Sequence, residues 1–544
     1  MQNPYVERVI DWLYSLGGWE EKRSGVIGPD DRLPWGQTTT MGLQHVLAMF
    51  GSTVIAPILM GFDPNLAIFF SGIGTLLFFC ITAGRVPSYL GSSFAFIAPA
   101  GAVMAGGGGI PEVLGGIVAA GVVYTIIGFA VHYAGSAWID SLMPPLVTGA
   151  IVAIIGLNLA GAARDLSESS IFLAAITIAA VLFIALFTGG VISRLPILLG
   201  VVFGYLVALL LGGTNVTGRS FGPIDVQGVD VDRIKAASWF GIPDFVTPSF
   251  SWNAISLIAP VAIVLVAENT GHIKAVSVMT GQNLMPWLGR GFIGDGVATT
   301  VAGIGGGTGV TTYAENIGVM AVTRVYSTAI FVIAGFTAIL LGLCPKFGAV
   351  IATIPSGVLG GIATVLFGLI AATGFRIWTE NQVDFSDSGN LFIVAVTIIV
   401  GTADYTVHFG DFAMGGIALA TFGIIILNQL FGSSAMRPPR TAGGGGSRSG
   451  GARTRSQAPV PDRAIDDWDD IPPAQPRGQQ RPVRQQRAPQ QSRPVQQPRR
   501  PASTGYDRPS SAPRRPVSDD RPRRSGLDDL PDFPDEEPRP RTRR

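Results

Sequence analysis

The chain has 544 residues, 48% hydrophobic and 14% charged, with 71 Gly, 38 Pro and a mean hydropathy of +0.41. A soluble globular domain carries about 25% charged residues, so most of this chain is too poor in charge to be a water-soluble enzyme. From Ser433 onward there are 23 Arg, no Lys and 14 Asp or Glu, which leaves the first 432 residues net acidic and the remainder strongly basic. Two cysteines in apolar surroundings, Cys80 and Cys344, exclude a disulfide scaffold and a thiolate metal site. Four histidines exclude most imidazole-based metal centres, and no metal or cofactor is expected.

Residues 1–36 are of mixed composition and read as a cytoplasmic N-terminal segment, with Val6–Leu16 (VERVIDWLYSL) suited to a short interfacial helix. No basic stretch followed by a cleavable apolar run is present there, so no signal peptide is expected. From 37 to 432 the chain is a series of apolar runs, most of them able to cross about 30 Å of hydrocarbon. They divide into about fourteen segments, among them 38–60, 91–106, 254–275, 312–324, 328–344 and 348–373. The long 214–253 connection separates seven runs (37–213) from seven (254–432). An odd number per half makes the second half, if a repeat, inverted relative to the first, which is a secondary-transporter layout. With both termini inside, Arg85, Arg194, Lys274, Arg290, Arg324 and Arg376 fall on inward connections, a modest positive-inside bias.

Two runs are irregular. GRVPSYLGSSFAFIAPAG (84–101) enters the third segment, and GIGGGTGVTTYAENIG (303–318) enters the tenth. Backbone can leave the helix at membrane depth only where it is buried in protein or lines a cavity. Small residues also serve helix packing, but interruptions at matching places in two halves point to a substrate site.

Ionisable groups within membrane segments are costly and mark function. Glu268 lies deep in an apolar run, with His272 one helical turn further on the same face. Glu315 stands where the Gly-rich stretch gives way to helix. Gln44 and His45 sit in the first run, equally suited to a substrate contact or to bonding carbonyls of neighbouring helices. His272 is open between proton relay and structural bond, and Asp295 reads as a structural or capping acid. Asp404, His408 and Asp411 fall in a connection facing water. Carboxylates accept N–H bonds and half-helix N–H groups donate to carbonyls, so a flat ring with alternating N–H and C=O groups fits. Phe94, Phe96 and Tyr313 add stacking surface. Low-dielectric surroundings favour the neutral carboxyl, which allows a proton to travel with the substrate. Composition alone leaves a sugar or an anion open.

At Glu315–Asn316–x–Gly318–x4–Thr323–Arg324, Gln44–His45, GSSFAFI (91–97) and AENTGH (267–272), the sequence resembles the nucleobase–ascorbate transporter family. Within it, the bacterial uracil permeases and the pyrimidine-utilisation branch are most similar, through PDDRLP (29–34), GRVPSYLGSS (84–93) and GVTTYAENIGVMAVTRVYST (309–328). The resemblance covers roughly 30–432. It implies an all-α polytopic membrane protein of fourteen spans in two inverted 7+7 repeats, with core and gate domains and short β-strands in segments 3 and 10. It further implies that Glu268 and Glu315 bind the base, that the Phe94 and Ala314 backbones contribute bonds, and that His272 and Tyr313 shape the site. Proton coupling would fall to Glu268, His272 or Glu315, with Gln44, His45, Asn316, Thr323, Arg324 and Phe367 in support. Ala314 replaces a familiar Gly and Phe367 a familiar Tyr, which leaves the choice between uracil, thymine and xanthine open.

These readings converge on a proton-coupled uracil importer working by alternating access in the plasma membrane, as a homodimer, with both termini cytoplasmic. A same-fold carrier of a purine or organic anion is one alternative. A membrane-anchored scaffold acting through its tail is another. Residues 433–544, rich in Arg, Pro and Gln, cannot bury enough apolar surface to offset chain entropy and read as a disordered cytoplasmic tail whose partner is unknown.

Overall fold

A computed structural model describes residues 18–190, 192–214, 218–222, 224–409 and 412–432. Val6–Leu16, Asp411 and the 433–544 tail lie outside the described residues. Those described belong to one compact unit, Met1–Gly445.

Among the described residues, six helices are long and apolar enough to cross a membrane: Trp35–Leu59, Pro64–Ile81, Ile110–Ala134, Pro145–Glu168, Trp252–Thr280 and Ser356–Glu380. A seventh is reached if Thr328–Gly342 and Pro345–Ala352, bent by 80°, form one span. Five shorter apolar helices accompany them: Phe94–Ala105, Ile171–Phe187, Pro196–Gly212, Ser388–Thr402 and Gly416–Phe431. Local sequence explains several starts. Asp63 caps Pro64–Ile81 by accepting from the Asn65 N–H, with Pro64 at the first helical position, and Ser170 and Ser251 cap Ile171–Phe187 and Trp252–Ile258 in the same way.

The boundary expected between 328–344 and 348–373 is corrected. Residues 345–352 form a short helix of their own, and the next long helix starts only at Ser356. Pro345 begins the short helix and Pro355 ends the run behind it, because proline lacks the N–H that helix propagation requires.

The helices pack in partnered crossings. Ile110–Ala134 lies along Leu288–Gly305, Pro64–Ile81 along Thr328–Gly342, and Pro145–Asn158 along Ser356–Glu380. Each crossing closes over a pair of glycines: Gly121 with Gly296, Gly72 with Gly335, and Gly149 with Gly374. A Cβ on Gly72 would stand 2.5 Å from the Gly335 carbonyl oxygen, and one on Gly374 2.5 Å from that of Gly149. Helices can therefore approach backbone to backbone, as packing without a hydrophobic driving force favours. Ile171–Phe187 pairs with Pro196–Val207, and Ser388–Thr402 with Gly416–Phe431, around the Pro145–Asn158 and Ser356–Glu380 crossing.

The only strand pair joining the two halves among the described residues is antiparallel, Leu90–Ser92 against Val310–Thr312, with Gly91 opposite Thr311. All six residues are buried. A threonine of the preceding helix holds each strand. Thr75 accepts from the Leu90 N–H at 3.0 Å, and Thr299 accepts from the Val310 N–H at 3.2 Å while donating to the Val310 carbonyl at 2.8 Å. Strand-edge groups at this depth thus have partners, which satisfies the requirement that buried backbone be bonded.

The two ends of the molecule are distinct. Residues 18–34 dock on the 324–328 turn. The Ile27 N–H donates to the Arg324 carbonyl (3.2 Å) and the Tyr326 N–H to that of Ile27 (2.8 Å), while Trp19 Nε1 donates to Thr328 Oγ1 (2.9 Å) and Arg85 pairs with Asp30 (2.8 Å). Fifteen residues along, the other end of Thr328–Gly342 meets the 214–253 connection, where the Gly241 N–H donates to the Leu343 carbonyl at 3.1 Å. A helix of that length separates the two faces by about 22 Å.

Candidate substrate site

Glu268 and Glu315 come from different kinds of element. Glu268 sits inside the helix Val261–Thr280. Glu315 is the second residue of the ten-residue half-helix Ala314–Thr323, which starts as soon as the Val310–Thr312 strand ends. The two elements pack together. Glu315 Oε1 accepts from Ser52 Oγ at 2.5 Å, whereas Glu268 Oε2 is buried with no partner. A buried carboxyl oxygen left open is costly unless something binds it.

Around them the expected residues assemble. Phe94 (7% exposed) follows the Leu90–Ser92 strand and meets Phe367 edge to face, with ring centres 5.6 Å apart. Tyr313 donates to the Ser92 carbonyl at 2.6 Å, tying the two strands together beyond their ladder. The residue beneath the Tyr313 ring has to be glycine, because a Cβ on Gly91 would stand 2.5 Å from it. His272 Nδ1 lies 2.8 Å from Thr312 Oγ1, and that hydroxyl donates to Asn269 Oδ1 at 3.1 Å. Ala314 opens the half-helix and is exposed, with no earlier turn to bond its N–H.

His45 and Asn316 form a separate buried pair, Nδ1 to Oδ1 at 3.1 Å, with the imidazole against Phe331. Gln44 Nε2, His45 Nε2 and Asn316 Nδ2 are buried without partners. This pair fastens the half-helix to the first helix, and Asn316 directly follows Glu315 in the chain. Thr323 and Arg324 are not brought to the site. Thr323 bonds back to Val319, and Arg324 ends the half-helix in a left-handed conformation (φ 56°), its N–H on the Met320 carbonyl. About nine residues of helix, some 13 Å, separate Arg324 from Glu315.

Sequence reasoning missed Ser52, Tyr124 and the partners of Asp295. Asp295 is fully buried, accepts from Asn269 Nδ2, and leaves Oδ1 unpartnered. Asn269 also donates to the Tyr124 hydroxyl at 3.0 Å, which donates to the Leu265 carbonyl at 3.2 Å. Asp295 is therefore joined through Asn269 and Thr312 to His272, a chain of side-chain bonds from the Leu288–Gly305 helix to the site. Single polar residues inside apolar runs, Ser52 in FGSTVIAP and Tyr124 in GVVYTIIG, were the available signal. Asp404 accepts from the Gly416 N–H at 2.9 Å and caps that helix, and His408 is exposed.

Helices interrupted at paired places around half-buried carboxyl groups define a multi-pass membrane transporter. A model of the permease family matches residues 36–410, and the chain belongs to that family. It is 52% identical over 444 residues to the putative pyrimidine permease RutG of Escherichia coli K12, covering 78% of this chain and 98% of that one. It is 38% identical to the uracil permease of Bacillus caldolyticus, over 74% of this chain and 94% of the relative. The transmembrane domain of the cyanobacterial bicarbonate transporter BicA superposes with a TM-score of 0.50 at 16% identity, over 68% of this chain and 95% of that domain, a likeness of fold.

Proposed function

We propose that this protein is a proton-coupled nucleobase importer, with uracil as its principal substrate. The observation that carries this reading is the pair of acidic side chains on two packed elements, one of them leaving Glu268 Oε2 unpartnered. A planar ring with adjacent N–H and C=O groups gives that oxygen its missing donor. The first N–H groups of the half-helix then face its carbonyls. Glu268 and Glu315 bind the base, the Phe94 and Ala314 backbones add bonds, and Tyr313 and Phe367 shape the walls. The proton moves with the base on Glu268, His272 or Glu315. RutG and the uracil permeases, named for pyrimidine and uracil, favour this substrate class.

The reading includes fourteen spans in two inverted repeats. Exchanging each segment for its counterpart seven places on turns the Ile110–Ala134 and Leu288–Gly305 crossing into that of Thr328–Gly342 with Pro64–Ile81. The same exchange leaves the Pro145–Asn158 and Ser356–Glu380 crossing as it is. A two-fold axis in the membrane plane produces that pattern. The first four segments of each half form a core domain and the last three a gate domain, which move against each other. The protein sits in the plasma membrane with the 18–34 face cytoplasmic and dimerises through the gate.

Uptake of labelled uracil into vesicles, with and without an inward proton gradient and with a panel of unlabelled bases and organic anions, tests this. Accumulation driven by the gradient and abolished in Glu268→Gln is expected. Gradient-independent uptake, or wild-type rates in Glu268→Gln, overturns the coupling role. Absence of any base uptake overturns the substrate.

A further inference from the structure

A cavity of about 770 Å³ lies away from the carboxylates. It opens on the face carrying the 214–253 connection, between the end of the first helix (Ile58), Phe62–Asn65, the Pro345–Ala352 helix and the start of Ser356–Glu380. The short helix Val231–Ala236 stands at its rim and turns Arg233 toward it. The volume falls within the range of small-molecule clefts.

Four polar side chains line it: Asp63, Asn65, Arg233 and Ser356. Asn65 is 9% exposed, and its Oδ1 is buried with no partner. Asp63 caps the Pro64–Ile81 helix through the Asn65 N–H at 2.8 Å and presents its carboxyl group beside that amide. Arg233 is exposed and makes no ion pair among the described residues, the nearby Lys235 being taken by Asp232. Ile58 and Phe62 supply apolar wall.

The chemistry of this set narrows the ligand. A bare anion would suit Arg233 but would lie against Asp63 and leave the Asn65 oxygen without a donor. A cation would meet the guanidinium. A neutral ring carrying both N–H and C=O groups matches Asn65, Asp63 and Arg233 in chemistry: N–H groups are donors for the Asn65 and Asp63 oxygens, and a carbonyl accepts from Arg233. The apolar wall takes its face.

We propose that this cavity is an outer loading site where a neutral nucleobase is captured before it reaches Glu268 and Glu315. The inference rests on the importer reading, which makes this face extracellular and the base the substrate.

The 214–253 connection holds the rim in place from both sides. Gln227 Oε1 accepts from the Gly357 N–H at 3.0 Å and the Asp225 carbonyl from Ser170 Oγ at 2.6 Å. Further along, Lys346 Nζ donates to the Ile234 carbonyl at 3.1 Å, and the Lys346 N–H to that of Ser238 at 2.9 Å. The helix bearing Arg233 is therefore anchored by its flanks to the helices on either side of the opening.

The test compares both faces of the same full-length protein. In right-side-out vesicles, Asn65→Ala and the surface variant Arg233→Ala should each raise the half-saturation concentration for external uracil about three- to tenfold, the loss of one hydrogen bond. Half-saturation measured from the inner face, by efflux, should keep its wild-type value. Ligand-observed NMR on purified Glu268→Gln should still detect weak uracil binding, lost when Arg233→Ala is added. External half-saturation unchanged in Arg233→Ala, equal effects at both faces, or weak binding indifferent to Arg233 would each overturn the loading site. Wild-type vesicles that accumulate no base would instead overturn the importer reading, and this inference with it.

Discussion

Ser52 shows how much a single hydroxyl decides here. It is the partner of Glu315 at 2.5 Å, and it comes from a helix that carries no acid. Ser52→Ala should weaken uracil binding about fivefold, equivalent to about 1 kcal/mol for one hydrogen bond, and Ser52→Thr should restore it; titration calorimetry checks both. Asp31 offers a second case, outside the membrane. The Gly28 N–H bond, aided by Lys22, holds its carboxyl below the usual carboxylate range. Both partners lie within the 18–34 segment, so the depressed value stabilises that segment's own turn above the unfolded pKa, and the contribution is lost as pH falls through the folded one. That turn should therefore hold at neutral pH and loosen only below about pH 4. Fluorescence of Trp19, which packs on Trp35 and Phe79, differenced against Trp19→Phe, reports the loosening.

Among the elements, the crossed strands are the most sensitive to volume. Leu90–Ser92 and Val310–Thr312 aim Phe94 and the start of the half-helix at one place, and they can do so only because Gly91 and Gly309 leave room for the Tyr313 and Phe96 rings. A Cβ on Gly309 would stand 2.3 Å from the Phe96 ring. Gly91→Ala should displace Tyr313 from the Ser92 carbonyl and cost about 1–3 kcal/mol of overpacking, seen as a lower melting temperature together with lost uracil binding. Gly101→Ala, where an added methyl meets nothing within 4 Å, should leave both intact. Equal effects of the two substitutions would show that helix flexibility, rather than ring contact, sets the requirement.

For the whole molecule, the described residues pack through glycine-lined crossings that link one half of the chain to the other, so neither half closes its own core. The family match ends at 410, ahead of the basic tail. Deleting 433–544 should therefore leave the rate and affinity of uracil uptake at wild-type values in reconstituted vesicles. A lowered rate at normal protein density would assign the tail a part in transport.

Hydropathy and charge by themselves determined that this chain enters a membrane, roughly where its helices run, and which acids stand where water is scarce, because an isolated carboxyl in an apolar run has few structural reasons to be there. The motif at 315–324 likewise marked the half-helix. It also drew in Thr323 and Arg324, whose distance from Glu315 follows from helical rise and not from sequence proximity. Tertiary structure alone decided that Ser52 serves Glu315, that Asp295 reaches His272 through Asn269 and Thr312, and that residues 18–34 clasp the 324–328 turn. Those partners lie between 26 and 309 positions apart, and a hydrogen bond carries no signal along the chain. Its donor and acceptor are ordinary residues until packing brings them within 3 Å.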